Sequence, residues 1–135
     1  SAFLDRAREL DIHLTVEARL PGELSVPDTE LSAVIGNGLE NALKAVKKLE
    51  APHRWVKLYC AIKHGKLLVE ISNPYAGRIV MRDGLPVSTQ AGHGYGCRSI
   101  RAIVQRLNGI CLFEAEEGIF TFRAALPERG EVPAE

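Results

Sequence analysis

The chain has 135 residues, of which 46% are hydrophobic and 25% charged, with 17 Lys plus Arg set against 17 Asp plus Glu. That length builds one core rather than two, and the composition is that of a folded globular protein. Balanced charge supplies no positive field to attract nucleic acid or anionic lipid, and short apolar runs such as Leu67-Leu68-Val69 fall far below the roughly 20 residues of a membrane span. Neither a signal peptide nor a span is expected, so the domain reads as soluble, with no nucleic-acid partner.

Ala2 to Leu10 has a helical charge pattern, and Ile12 to Leu20 alternates Ile12, Leu14, Val16, Ala18 and Leu20 with polar residues, as a half-buried strand does. Pro21-Gly22 breaks that strand. Pro27-Asp28 then starts a long helix to about Leu49, because proline suits a first turn and a carboxylate suits its free N–H groups. Arg54 to His64 and Lys66 to Ser72 are rich in aliphatic and β-branched residues and read as a hairpin turning at His64-Gly65-Lys66. From Pro74 to Gly94 no period is visible. A loop of that length in a compact domain tends to be functional, and its few large apolar residues predict a lid, mobile without ligand and ordered over it. A helix from about Tyr95 to Leu107 precedes two strands, Ile110 to Ala115 and Ile119 to Leu126, joined by Glu116-Glu117-Gly118.

This order places helices on one face of a mixed sheet, an α/β two-layer sandwich. Its predicted core is Val34, Ile35, Leu39, Val46, Leu58, Val69, Ile71, Ile100, Ile103, Leu112, Phe120 and Phe122. Residues 1–135 form a single domain, with 126–135 as a flexible tail. Cys60, Cys97 and Cys111 are odd in number and lack a CxxC spacing, which argues against a disulfide framework and a thiolate zinc site. His93 and Cys97 stand four apart, but two ligands alone do not make a metal site.

The informative segment is the long helix. Asn37, Glu40, Asn41, Lys44 and Lys48 form one stripe at about 100° per residue, while Leu31, Val34, Ile35, Leu39, Ala42, Val46 and Leu49 fill an apolar sector. Lys and Glu suit a solvated face, but two asparagines do not, since the short amide competes for backbone hydrogen bonds. Gly36 and Gly38 each add a cost of up to about 1 kcal/mol relative to Ala. A helix carrying these costs serves a site. An amide oxygen is a hard neutral ligand suited to Mg²⁺ at Asn41, and Lys44 one turn further adds positive charge beside the same phosphates.

Gly92-His93-Gly94-Tyr95-Gly96 stands just before a helix, where free N–H groups and the helix dipole favour phosphate. No GxxxxGK[ST] is present, which excludes a P-loop. The glycines follow Ser88-Thr89-Gln90-Ala91 rather than a strand, which excludes a dinucleotide fingerprint.

Together these residues resemble the GHKL-type ATPase superfamily of gyrase, the heat-shock chaperone, histidine kinases and mismatch-repair proteins, and within it the catalytic domain of sensor histidine kinases. Asn37-Gly-Leu-Glu-Asn41-Ala-Leu-Lys44 looks like the N-box, Gly92 to Gly96 like the second glycine box, and Gly118-Ile-Phe-Thr121-Phe with Leu126-Pro127 like the closing strand. The resemblance implies a Bergerat-type ATP-binding fold and nucleotide contacts from Asn37, Asn41, Lys44, Asn73, Gly77, Gly92, His93, Gly94, Tyr95, Gly96 and Thr121, with Mg²⁺ on Asn41.

The family's Asp-x-Gly-x-Gly box aligns with Asn73-Pro-Tyr-Ala-Gly77, so Asn73 replaces the Asp that receives the adenine amino group. This departure looks like the quorum-sensing peptide-receptor branch. An amide can still pair with an adenine edge, with weaker discrimination against guanine expected. Asn37 stands where ATP-hydrolysing members place a water-activating Glu, and an amide cannot take a proton. Transfer of the γ-phosphoryl group to a histidine is thus implied, with Asn37 and Glu40 as catalytic candidates and Glu40 orienting the acceptor.

None of His13, His53, His64 or His93 lies in a segment resembling the family's phosphoacceptor helix. The resemblance therefore implies a parent protein, membrane-bound and dimeric, that supplies a phosphoacceptor dimerisation domain and addresses a response regulator. This domain would sit at the cytoplasmic face of a bacterial membrane and be inactive in autophosphorylation alone. A related protein-serine kinase that inhibits sigma factors, and a degenerate domain kept for protein binding, are the competing readings.

Overall fold

The computed structural model describes residues 2–87 and 95–128. Helix α1 (Ala2–Glu9) leads into strand β1 (His13–Arg19), helix α2 (Asp28–Val46), one 3-10 turn (Ala51–His53), and strands β2 (Trp55–Lys63) and β3 (Lys66–Pro74). A short hairpin, β4 (Met81–Arg82) and β5 (Leu85–Pro86), follows, then helix α3 (Tyr95–Arg106) and strands β6 (Ile110–Glu116) and β7 (Ile119–Pro127). The main sheet has the order β1-β2-β3-β7-β6. β1 runs parallel to β2, because α2 carries the chain back between them, and the remaining neighbours are antiparallel.

Strand alternation sorts the two faces. Val56, Leu58 and Cys60, then Leu67, Val69 and Ile71, then Phe120, Phe122, Ala124 and Leu126 are buried towards the helices. From α2 come Leu31, Val34, Leu39, Ala42, Leu43 and Val46, and from α3 Ile100 and Val104. Phe113 closes the core, its ring 5.1 Å from that of Phe122 and 6.3 Å from that of Phe120. Helices on one face of a mixed sheet are as the sequence predicts.

Both main-sheet hairpins turn at adjacent residues with positive φ, His64 and Gly65 in one and Glu117 and Gly118 in the other, the mirror-image turn whose twist matches that of the strands. A single guanidinium closes the C-terminal ends of two helices: Arg54 donates to Leu10 O at 2.7 Å, Leu49 O at 2.8 Å and Lys47 O at 3.2 Å. These carbonyls have no partner within their own helices, and a cation there also meets the negative end of each dipole.

Four expectations need correction. Leu112 is 50% exposed, because Ile110 to Phe113 is apolar throughout and it is Phe113 that alternation turns inward; Ile35 and Ile103 are only partly buried. Helix α2 ends at Val46, so Lys48 lies beyond the helix and the polar stripe stops at Lys44. The segment after Pro74 is not a loop throughout: Asp83 and Gly84, both at positive φ, make a third turn of the same kind. Its hairpin is anchored by Leu85, 9% exposed, and by Arg101 of α3 donating to Asp83 O at 2.6 Å. Ile79 and Met81 also pack on the core, which anchors this part of the expected lid; its part at 88–94 lies outside the described residues. Finally, residues 126–128 are not a tail, since Leu126 is fully buried and Glu128 is 4% exposed.

Candidate functional site

Residues from α2, β3 and α3 meet at one end of the core. Asn73 occupies the last inward position of β3, continuing the row Leu67, Val69, Ile71, and is 2% exposed. A polar side chain so buried needs a partner, and its Nδ2 donates to Pro74 O at 2.9 Å. That bond uses one of the two Nδ2 hydrogens, leaving Oδ1 and the second N–H for a ligand; the assignment of amide nitrogen and oxygen follows this bonding pattern.

Across from Asn73 stands Asn41, half-buried on α2. Both line a hollow of about 10 Å³ together with Gly38, Ile71, Cys97 and Phe120, about the space one water fills. Gly38 keeps that space: a Cβ there would stand 2.5 Å from Ile71 Cδ1. This explains one of the two helix glycines. Around Gly36 a Cβ meets nothing within 4 Å, and no packing requirement accounts for that glycine.

Helix α3 begins directly against α2, since a Cβ on Gly96 would lie 3.8 Å from Asn37 O. The first turn of α3 thus begins beside Asn37 and Asn41. Tyr95 opens the helix. Gly92, His93 and Gly94 lie outside the described residues. Gly77 has φ +76 and turns the exposed chain after β3, while Lys44, one turn beyond Asn41, is exposed.

Two of the expected site residues are not turned to this hollow. Thr121 pairs with Ser72 and Glu114 across the sheet and alternates with the inward Phe120 and Phe122. It therefore stands on the face opposite the helices, away from Asn41 and Asn73. Glu40 is turned to α1 instead of a free acceptor: Arg6 Nη1 donates to its Oε1 at 2.7 Å and Nη2 to its Oε2 at 3.0 Å. Those hydrogen bonds are the main reason its carboxyl titrates below the usual carboxylate range, which makes it a poor proton acceptor.

Several contributors were not found in the sequence. Cys97, Phe113, Phe120 and Phe122 line the hollow, and only their apolar character hinted at it. Burial pushes the Cys97 thiol up to about 11, so it is protonated and inert near neutrality. Arg6 was hidden in an ordinary helical charge pattern. Among the described residues no group of three His, Cys, Asp or Glu could hold a metal ion, so a cation here would take an amide from the protein and its other ligands elsewhere. A larger groove of about 420 Å³ lies on the open face of the sheet, lined by Tyr59, Leu68, Leu112 and Ala125 among others. Its only charged lining residues, Glu70 and Arg123, pair with each other, which does not suit a triphosphate.

The model of a family described as the GHKL domain matches residues 28–127. No curated protein matches the chain significantly. The nucleotide-free catalytic domain of histidine kinase ThkA superimposes with a TM-score of 0.74 at 20% identity, covering 93% of this chain and 85% of that one. Full-length ShkA in complex with AMPPNP gives 0.72 at 20% identity, covering 92% of this chain and 27% of that one. The Acinetobacter baumannii histidine kinase AdeS gives 0.69 at 14% identity, covering 93% and 59%. At these identities the likeness is one of fold.

Proposed function

The chain belongs to the GHKL domain family, and from that premise we propose that it binds ATP with Mg²⁺ and passes the γ-phosphoryl group to a histidine on a dimerisation domain of the same parent protein. In this reading it is the catalytic domain of a sensor histidine kinase, feeding a response regulator in two-component signalling. The observation that carries it is the meeting of the Asn73 and Asn41 amides at one hollow beside the first turn of α3.

Each group has a role that its chemistry allows. Asn73 Oδ1 accepts from the adenine amino group, while one Nδ2 hydrogen is held by Pro74 O and the other is left for the adjacent ring nitrogen. Asn41 offers an amide oxygen to Mg²⁺, and Lys44 reaches the phosphates as a flexible cation. Bound Mg²⁺ supplies charge neutralisation across the phosphate oxygens. The N–H groups at the start of α3, with Gly96 and the adjoining Gly92, His93, Gly94 and Tyr95, cradle phosphate, and Gly77 lets the chain turn close to the base. Asn37 cannot accept a proton, so the site holds ATP for transfer without activating water.

No helix of the described residues is long and apolar enough to cross a membrane. A membrane-bound, dimeric parent with this domain at its cytoplasmic face belongs to the proposal. Titration with ATP, with and without Mg²⁺, tests the reading: micromolar to sub-millimolar affinity that depends on the metal is expected, whereas no binding at millimolar nucleotide would leave a protein-binding module. An acid-labile phosphohistidine on the dimerisation domain is the expected product, and phosphoserine on a partner would overturn it.

A further inference from the structure

Glu40 and Lys44 are one turn apart on α2 with the acid first, the spacing and order that favour an intrahelical ion pair. They do not pair. Both carboxylate oxygens of Glu40 are taken by the Arg6 guanidinium at 2.7 and 3.0 Å, a fork-to-fork geometry that a single ammonium cannot match. Lys44 is exposed and, among the described residues, makes no ion pair. Arg6 itself is set by the seating of α1, whose Ala7 is 2% exposed in the core. The next residue after Glu40 is Asn41, at the hollow.

Resting on the reading that Lys44 faces the triphosphate, we propose that Arg6 is a positioning residue that governs nucleotide affinity: by occupying Glu40 it keeps that carboxylate from capturing Lys44 and leaves the ammonium for phosphate. Without Arg6, Glu40 swings one turn along α2 to Lys44. The site then loses an available cation. Because Arg6 belongs to α1, the seat of that helix and the occupancy of the site are linked, and linkage is reciprocal: nucleotide favours the seated helix as the seated helix favours nucleotide.

Calorimetric titration of ATP–Mg²⁺ into the wild type, Arg6→Ala, Glu40→Ala and the double variant tests the idea. Arg6→Ala should weaken binding roughly two- to fivefold at low ionic strength, the scale of an exposed ion pair, and less in high salt, which screens it. Arg6→Ala with Glu40→Ala should bind as the wild type does, because the competitor for Lys44 is gone; in a Lys44→Met background, Arg6→Ala should add nothing. If Arg6 merely props up α1, the double variant stays as weak as Arg6→Ala, and the proposal is overturned. Wild-type affinity in Arg6→Ala overturns it as well. A wild type that binds no ATP at all removes the functional reading along with the proposal, an outcome distinct from both.

Discussion

The Glu128 carboxylate accepts the Val26 backbone N–H at 2.9 Å and the Ser25 N–H at 2.7 Å, while the Glu128 N–H donates to Gly65 O at 2.9 Å. The residue that follows β7 thus fixes the entry to α2, the helix that bears the site. Glu128→Ala would leave the Val26 N–H buried without that acceptor, at an expected cost of about 2 kcal/mol, and Glu128→Gln, which keeps one acceptor, about half that. Urea denaturation followed by circular dichroism reads both. Equal midpoints for wild type and Glu128→Ala would show that the clamp adds no stability.

Asn41→Ala should abolish Mg²⁺-dependent ATP binding and leave the fold intact, because the side chain is half-buried and no packing in the apolar sector depends on it. Titration beside a thermal melt separates the two effects. Unchanged affinity would remove the metal role from this residue.

Asn73 should favour ATP over GTP, since Oδ1 accepts from the adenine amino group and guanine presents a carbonyl oxygen at that position. Asn73→Ala is expected to reduce that preference by about tenfold, the scale of one hydrogen bond removed from a buried site. Competition binding gives the ratio directly. A wild type that binds both nucleotides equally would mean that the amide is flipped or faces elsewhere.

Acid should loosen α1 before the core unfolds. Arg6 hydrogen bonds hold the Glu40 carboxyl below its ordinary 4.5. For a lowered pKa, the stabilisation is fully present above the unfolded-state value and disappears as pH falls through the lower folded-state value. Wild type and Glu40→Gln should therefore differ in α1 hydrogen exchange at neutral pH and converge once the pH has fallen through the lowered folded-state value. A difference that persists in strong acid would argue that the pair contributes through packing alone.

Much of the fold was legible because periodicity survives in single segments. Alternation in Trp55 to Lys63 and in Ile119 to Pro127, and the apolar sector from Leu31 to Val46, could each be read without knowledge of the neighbours. The Asp83-Gly84 turn was legible too, as a strong short hairpin signal, but it was obscured inside a stretch judged by the scarcity of its large apolar residues. Leu112 was not legible, because a continuous apolar run offers two equivalent choices of inward face, and only pairing with Arg123 on β7 settles which is taken.

In the site, the amides of Asn37 and Asn41 stood out because they are costly inside a helix, and Asn73 because it falls where the resembling family places its adenine-binding Asp. The surroundings of Glu40 and Thr121 were not legible for one reason: a motif states which residue type stands at a position and not which way its side chain is pulled. Arg6 lies 34 residues before Glu40, and no local pattern marks that pair.

Sequence alone determined the element types and the polar groups on α2, since each depends on interactions within a few residues. Tertiary structure decided that Asn73 and Asn41 share a hollow, that Thr121 faces away from it, and that Glu40 belongs to Arg6 and not to Lys44. Those outcomes depend on strand register and helix seating, which arise from competition among distant groups for the same buried space and the same hydrogen bonds.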